Sequence, residues 1–227
     1  MCYSIESSLR TTGMSLFAII YLLNSGIPKF QYLGAVLIGW CAMQFAEALL
    51  WMTDPRKCTT ANKWITLLII PFVLALQPLG CVWGSLFFNS WNENKNFIIS
   101  YTFFVVILLF LQRHVLNPMM FEYKDCTTIT PKGHLDWLTD ASSNKDTKLD
   151  IVLVIVIFLW AAIIAYPLLK FWKGTRLWPF YIIPLIGIFI GFKTDAPGSI
   201  WCYITSYGSI SAAILLFLHT HGIKVID

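Results

Sequence analysis

The feature that most constrains this chain is a succession of apolar runs, each close to twenty residues, separated by mostly short polar connections. About twenty residues of α-helix cover the ~30 Å of a bilayer's hydrocarbon layer. In that layer only helices and closed barrels satisfy their own backbone groups. Segments of spanning length are predicted near 5–24, 33–53, 64–88, 97–116, 150–169, 177–193 and 199–219. The third contains Pro71 and Pro78 and the sixth Pro179 and Pro184, kinks that neighbouring helices can compensate. The expected fold is all-α, a seven-transmembrane-helix bundle in which residues 1–227 form a single integral membrane domain.

Composition agrees with that reading. The 227 residues are 57% hydrophobic and 12% charged, where a soluble domain carries about 25% charged residues. The net charge of +4 lies in short loops and forms no basic stripe. The expected partner is therefore the lipid bilayer and not nucleic acid, with homo-oligomerisation left open. Neither a basic leader nor a small-residue cleavage site precedes the first apolar run, so no secretory signal peptide is expected.

One connection is long, 117–149, and holds "CTTITPKGHLDWLTD". Its β-formers alternate around Pro131-Lys132-Gly133, which predicts a small hairpin lid between helices four and five. With seven spans, this loop shares a face with the amino terminus and with the 54–63 and 194–198 loops. That face carries eight Lys or Arg residues (Arg56, Lys57, Lys63, Lys124, Lys132, Lys145, Lys148, Lys193), against six on the other. The excess predicts an amino terminus in the cytoplasm.

Chemistry-bearing residues gather near the same face. The apolar part of segment one, Met14 to Leu23, is too short to span. The helix must begin near Ser4, a suitable N-cap, with Glu6 in the first turn. Glu6, Ser7, Ser8, Arg10, Thr11 and Thr12 then need shelter in the bundle, or else form an interfacial first turn. In segment two, "GWCAMQFAEALLWMTDP", Trp40, Gln44, Glu47 and Trp51 follow spacings of 4, 3 and 4 and share one helical stripe. A carboxylate at Glu47, ~10 Å from the helix end, is a functional-site candidate, with interhelical hydrogen bonding as the bland alternative. Segment seven, "PGSIWCYITSYGSISAA", starts with Pro197 and Ser199, has Trp201 in its first turns and carries a stripe of Ser199, Cys202, Ser206 and Ser209. Such a stripe serves either a site or close helix packing. Gln77 of "LQPLG" lies deeper, as a floor. The expected ligand-binding set is Cys2, Ser4, Glu6, Gln44, Glu47, Trp51, Gln77, Trp201, Cys202 and Ser206.

Six cysteines form no C-x-x-C pair, which argues against zinc ribbons and thioredoxin-like sites. Cys41 and Cys81 lie in apolar runs, where a thiol acts as a small hydrophobe. Cys2, Glu47, His134 and Cys202 are candidate ligands for a bound metal ion. Cys2 or Cys202 beside an acid/base is the corresponding enzyme reading, with Cys2, Glu47 and Cys202 as catalytic candidates. A Cys2–Cys202 disulfide is a further option that a cytoplasmic face would disfavour. Segment seven holds no lysine in its interior, so no retinal Schiff base is expected.

The patches "MCYSIESS", "QFAEALLW", "LQPLG" and "SIWCYITSYGS" resemble those of an uncharacterised group of polytopic membrane proteins from bacteria, algae and large DNA viruses. Members open Met-Cys-x-Ser, carry Gln-x-x-Glu-x-x-x-Trp and end with a Ser-x-Trp-Cys helix. The resemblance points to Cys2, Ser4, Gln44, Glu47, Trp51, Gln77, Trp201 and Cys202, matches the long loop least, and implies no particular activity. Three functions stay open: binding or transport of a proton, metal ion or small polar ligand around Glu47, a membrane-embedded enzyme, and a structural membrane or virion component.

Overall fold

The computed structural model describes residues 4–88, 91–111, 125–137, 147–172, 186 and 197–223. Its helices are α1 (Ile5–Leu23), α2 (Pro28–Met52), α3 (Thr60–Trp64), α4 (Ile70–Trp83), α5 (Trp91–Leu111), α6 (Thr147–Phe171) and α7 (Pro197–Thr220). A two-stranded hairpin, β1 (Thr128–Ile129) and β2 (Leu135–Asp136), precedes α6. The all-α expectation therefore stands. Among the described residues, four helical stretches are long and apolar enough to cross a membrane: Pro28–Met52, Thr60–Phe88, Trp91–Leu111 and Ser199–Thr220. The predicted sixth segment, 177–193, lies outside the described residues except for Ile186.

Helix α1 begins where its cap requires, with Ser4 Oγ accepting the Ser7 N–H at 3.2 Å. Its buried stripe is Ser8, Thr11, Ser15, Ala18, Ile19 and Leu22, a helical spacing that faces α2 and α7. Shelter for the polar first turns is thus divided. Ser8 and Thr11 are inside, whereas Glu6 and Arg10 are exposed and pair with each other at 2.9 Å across one turn. The chain then reverses through Gly26, whose φ of +69° suits glycine, and Pro28 opens α2 in its first turn.

Helix α2 is the hub of the bundle, packed by α1, α4 and α7. Its contact with α4 is made by backbone. A Cβ on Gly39 would sit 2.6 Å from the Gln77 nitrogen, and one on Gly80 would sit 2.7 Å from the Ala35 oxygen. Small residues at a crossing permit this approach, and it brings Gln77 against the middle of α2.

Two prolines shape the helices around that hub. Between α3 and α4 the chain widens into a π turn, Ile65–Ile69, in which the Ile70 N–H bonds the Ile65 oxygen five residues back. The wide turn immediately precedes Pro71. Asn62 before the turn and Thr66 within it bond the hairpin, while Val73, Gln77 and Cys81 after it are buried in the bundle. In α6, Pro167 cannot donate to the Ile163 carbonyl four residues earlier, and the hydroxyl of Tyr101 on α5 donates to it instead.

Ring contacts fix the relative directions of α2, α4, α6 and α7. Phe30 lies 5.6 Å from His219, and Tyr32 lies 5.3 Å from Phe88 and 5.8 Å from Trp172. The start of α2 and the ends of α4, α6 and α7 therefore meet at one end of the bundle. Ser4, the end of α2, the hairpin and the start of α7 meet at the other, which we call the amino-terminal end. Substituting Gly39→Ala is expected to lower thermal stability in detergent by about 1–3 kcal/mol, because the new methyl meets backbone. Gly13→Ala, whose Cβ meets nothing within 4 Å, serves as the control and is expected to leave the melting temperature unchanged or raised.

Candidate functional site

The stripe on α2 is the frame of the site. Gln44 and Glu47 are fully buried, Trp40 is nearly so, and Trp51 is half-buried at the amino-terminal end. Gln44 Nε2 donates to Glu47 Oε2 at 3.2 Å, one turn away on the same helix. The indole Nε1 of Trp137, just beyond β2, donates to Glu47 Oε1 at 3.3 Å. A buried carboxylate is costly unless its oxygens are met by donors, and here the hairpin supplies one of them.

Gln77 lies about eight residues further down α2, against Gly39, which is ~12 Å at 1.5 Å per residue. Its Oε1 accepts the indole N–H of Trp160 on α6 at 3.4 Å. Polar side chains thus occupy two levels, Glu47 under the hairpin and Gln77 nearer the centre, as a floor would. Trp40, Trp160 and Trp201 belong to one packed cluster of side chains. Trp51 and Trp137 pack instead with Met43, Leu50 and Leu135 nearer the hairpin.

The hairpin is bolted down at several points. Thr128 pairs with Asp136 and Ile129 with Leu135, and Gly133 takes a φ of +83° in the predicted turn. Thr127 is held like a strand residue: its carbonyl accepts Asn62 Nδ2 at 3.0 Å and its N–H donates to Asn62 Oδ1 at 2.9 Å. Thr66 Oγ1 lies 2.7 Å from Thr127 Oγ1. Lys63 pairs with Asp125, and a disulfide joins Cys58 to Cys126. Closing a loop of 68 residues, that bond is worth about 2–4 kcal/mol. The lid is a fixed cap on the site.

The remaining candidates separate. Ser4 is exposed and caps α1, and Glu6 is turned outward to Arg10, so neither joins the group around Glu47. Ser206 belongs to the α1–α7 contact. Ser15 Oγ donates to the Ser206 carbonyl at 3.1 Å, and Ser209 Oγ donates to Ser15 Oγ at 3.0 Å, which is the packing role of a serine stripe. Cys2 and the side chain of Cys202 lie outside the described residues, and with them the Cys2–Cys202 option. Cys41 and Cys81 are free and buried. Among the described residues no three His, Cys, Asp or Glu side chains form a metal-binding group.

Sequence reasoning missed the fastening of the lid and the role of Trp160. The signals were present as Asn62 and Thr66 four residues apart at a helix start, and as Cys58 and Cys126 outside the apolar runs. Comparison of the chain with protein-family models, curated proteins and solved structures finds no match.

His134 lies in the hairpin, fully buried, with its backbone N–H bonded to Thr130 Oγ1 at 3.1 Å. Burial foremost, then neighbouring positive charge including Lys132, holds its imidazole below the ordinary 6.5. The unfolded lid then binds a proton that the folded lid refuses. Lid stability is accordingly full above pH 6.5 and falls as the pH drops below it, by at most about tenfold in the opening constant per pH unit. Hydrogen exchange of the 125–137 amides between pH 7.5 and 5, corrected for intrinsic rates, should show this acid opening, and His134→Gln should remove it.

Proposed function

We propose that the protein is a multi-pass membrane protein, a seven-helix bundle, that binds a small polar ligand or a proton at Glu47 and uses this site for transport. The observation that carries the reading is the burial of Glu47 in a helix long and apolar enough to span, with its oxygens met by Gln44 and by Trp137 of a fastened lid. An ionisable side chain is kept at such depth where it has work to do. Membership of the polytopic group that the chain resembles is part of the same proposal.

The test is Glu47→Gln, which keeps size and hydrogen-bonding capacity while removing the charge. Bound small molecules by mass spectrometry, or proton flux into dye-loaded liposomes, should be lost at a melting temperature close to that of the parent. Unchanged flux together with unchanged bound material overturns the proposal. A structural role is the second reading, favoured by the Ser15–Ser206–Ser209 contact, which needs no ligand. It is supported instead if Glu47→Gln lowers stability and changes nothing else.

The disulfide bears on orientation. Cys58–Cys126 lies at the amino-terminal end, which the eight-to-six charge bias assigns to the cytoplasm. Disulfides persist in oxidising compartments and are rare in reducing ones. The bond outweighs so small a bias, and our reading is an amino-terminal end that faces away from the cytosol. In a variant whose only cysteines are Cys58 and Cys126, a membrane-impermeant reductant followed by an impermeant maleimide should label both in sealed cells or vesicles of matching sidedness. Labelling only after permeabilisation contradicts this orientation, and labelling without reductant contradicts the disulfide on which it rests.

A further inference from the structure

Several buried indole donors in the bundle have no acceptor. Among the described residues, the indole N–H groups of Trp40 and Trp201 are buried without a hydrogen-bond acceptor. Both side chains are more than nine-tenths buried, at 5% and 6% exposure, and both belong to the packed cluster that includes Trp160. The indole of Trp51, at the upper end of the α2 stripe, also lacks an acceptor. Trp160, of the same cluster, has its N–H met by Gln77.

An indole N–H donates and cannot accept. Left bare in a dry interior, such a group carries the full penalty of its desolvation, and folded proteins leave few of them. Whatever meets Trp40 and Trp201 must therefore present lone pairs. A metal ion or an ammonium group does not, and both are repelled by the positive end of the N–H bond. A water presents lone pairs but needs two to four polar partners of its own, whereas Leu37, Ile164 and Ala212 are among the apolar side chains packed in the cluster that holds Trp40 and Trp201. A hydrophobic molecule that carries a carbonyl oxygen meets both conditions: it packs against apolar side chains and accepts from indoles.

We infer that the site takes a hydrophobic ligand bearing a carbonyl or ester oxygen, which accepts hydrogen bonds from Trp40 and Trp201. The inference goes beyond the reading of Glu47 given above, which concerns a small polar ligand or a proton, and adds a separate place for a less polar one. Two sources share this chemistry, the ester carbonyls of a glycerolipid and the ring carbonyls of a quinone.

The experiment follows the indole N–H resonances of the full-length protein, labelled with 15N-tryptophan in detergent micelles. Trp40→Phe and Trp201→Phe assign the two signals. Three probes are added separately: a decyl-substituted benzoquinone, a dioctanoylglycerol, and decylbenzene as a hydrocarbon control. Downfield movement of both signals with either carbonyl probe, and not with decylbenzene, supports the inference, and the probe that acts identifies the source. No movement, or equal movement with decylbenzene, overturns it. Replacing Trp201 by benzothienylalanine, which keeps the ring shape without the N–H, should weaken binding of the active probe by about five- to tenfold. Unchanged affinity there also overturns the inference. Repeating the titration in Glu47→Gln separates the two proposals. Movement that persists in that variant leaves the carbonyl site standing even where the role of Glu47 in transport fails.

Discussion

The close approach of α2 to α4 holds the rest of the molecule in place. Two glycines, one on each helix, let backbone meet backbone, so the pair is set by hard contacts with no side chain to adjust between them. Gln77 consequently has one possible position relative to Gly39, and Trp160 on α6 must come to it to be satisfied. Helices α1 and α7 then close the remaining sides of α2 through small and hydroxyl-bearing residues. The order of dependence runs from a backbone contact to a polar floor to the neighbours that enclose it.

A buried carboxylate imposes a second constraint, felt furthest from the glycines. Glu47 would be expensive if its end of the bundle were open and shapeless. The hairpin answers this by placing Trp137 over it, and the hairpin in turn is too small to hold its own shape. Two short strands need external support. They receive it from Asn62 and Thr66, which treat Thr127 as a sheet neighbour would, and from the Cys58–Cys126 bond. Polar burial in one helix is thereby coupled to covalent chemistry in two loops.

Much of this was readable in the sequence. Hydrophobic run length gives the four apolar spans found among the described residues, the spacing of Trp40, Gln44, Glu47 and Trp51 gives their shared stripe, and the Pro-Lys-Gly turn gives the hairpin. Ser4 is recognisable as a cap because a short hydroxyl before a helical pattern has that use. What the sequence hid was pairing across distance. Nothing local distinguishes Cys58 from Cys2 as the partner of a loop cysteine, and nothing local says that Asn62 will bond main chain sixty-five residues away. The outward turn of Glu6 was hidden for another reason. Once Arg10 stands one turn away, the two satisfy each other on the surface, and the bundle interior is no longer the lower-energy place for the acid.

Proline in α6 has an effect beyond the bend such residues are known for. The Ile163 carbonyl that Pro167 leaves without an internal donor is a single polar point on an otherwise greasy cylinder, and the Tyr101 hydroxyl finds it. Helix α5 is apolar along most of its length and offers few polar points by which to choose its rotation or its height, Thr102 beneath the Trp83 indole being another. The unsatisfied oxygen helps to set both coordinates. A gap in one helix's own bonding thus becomes the address by which the next helix is docked.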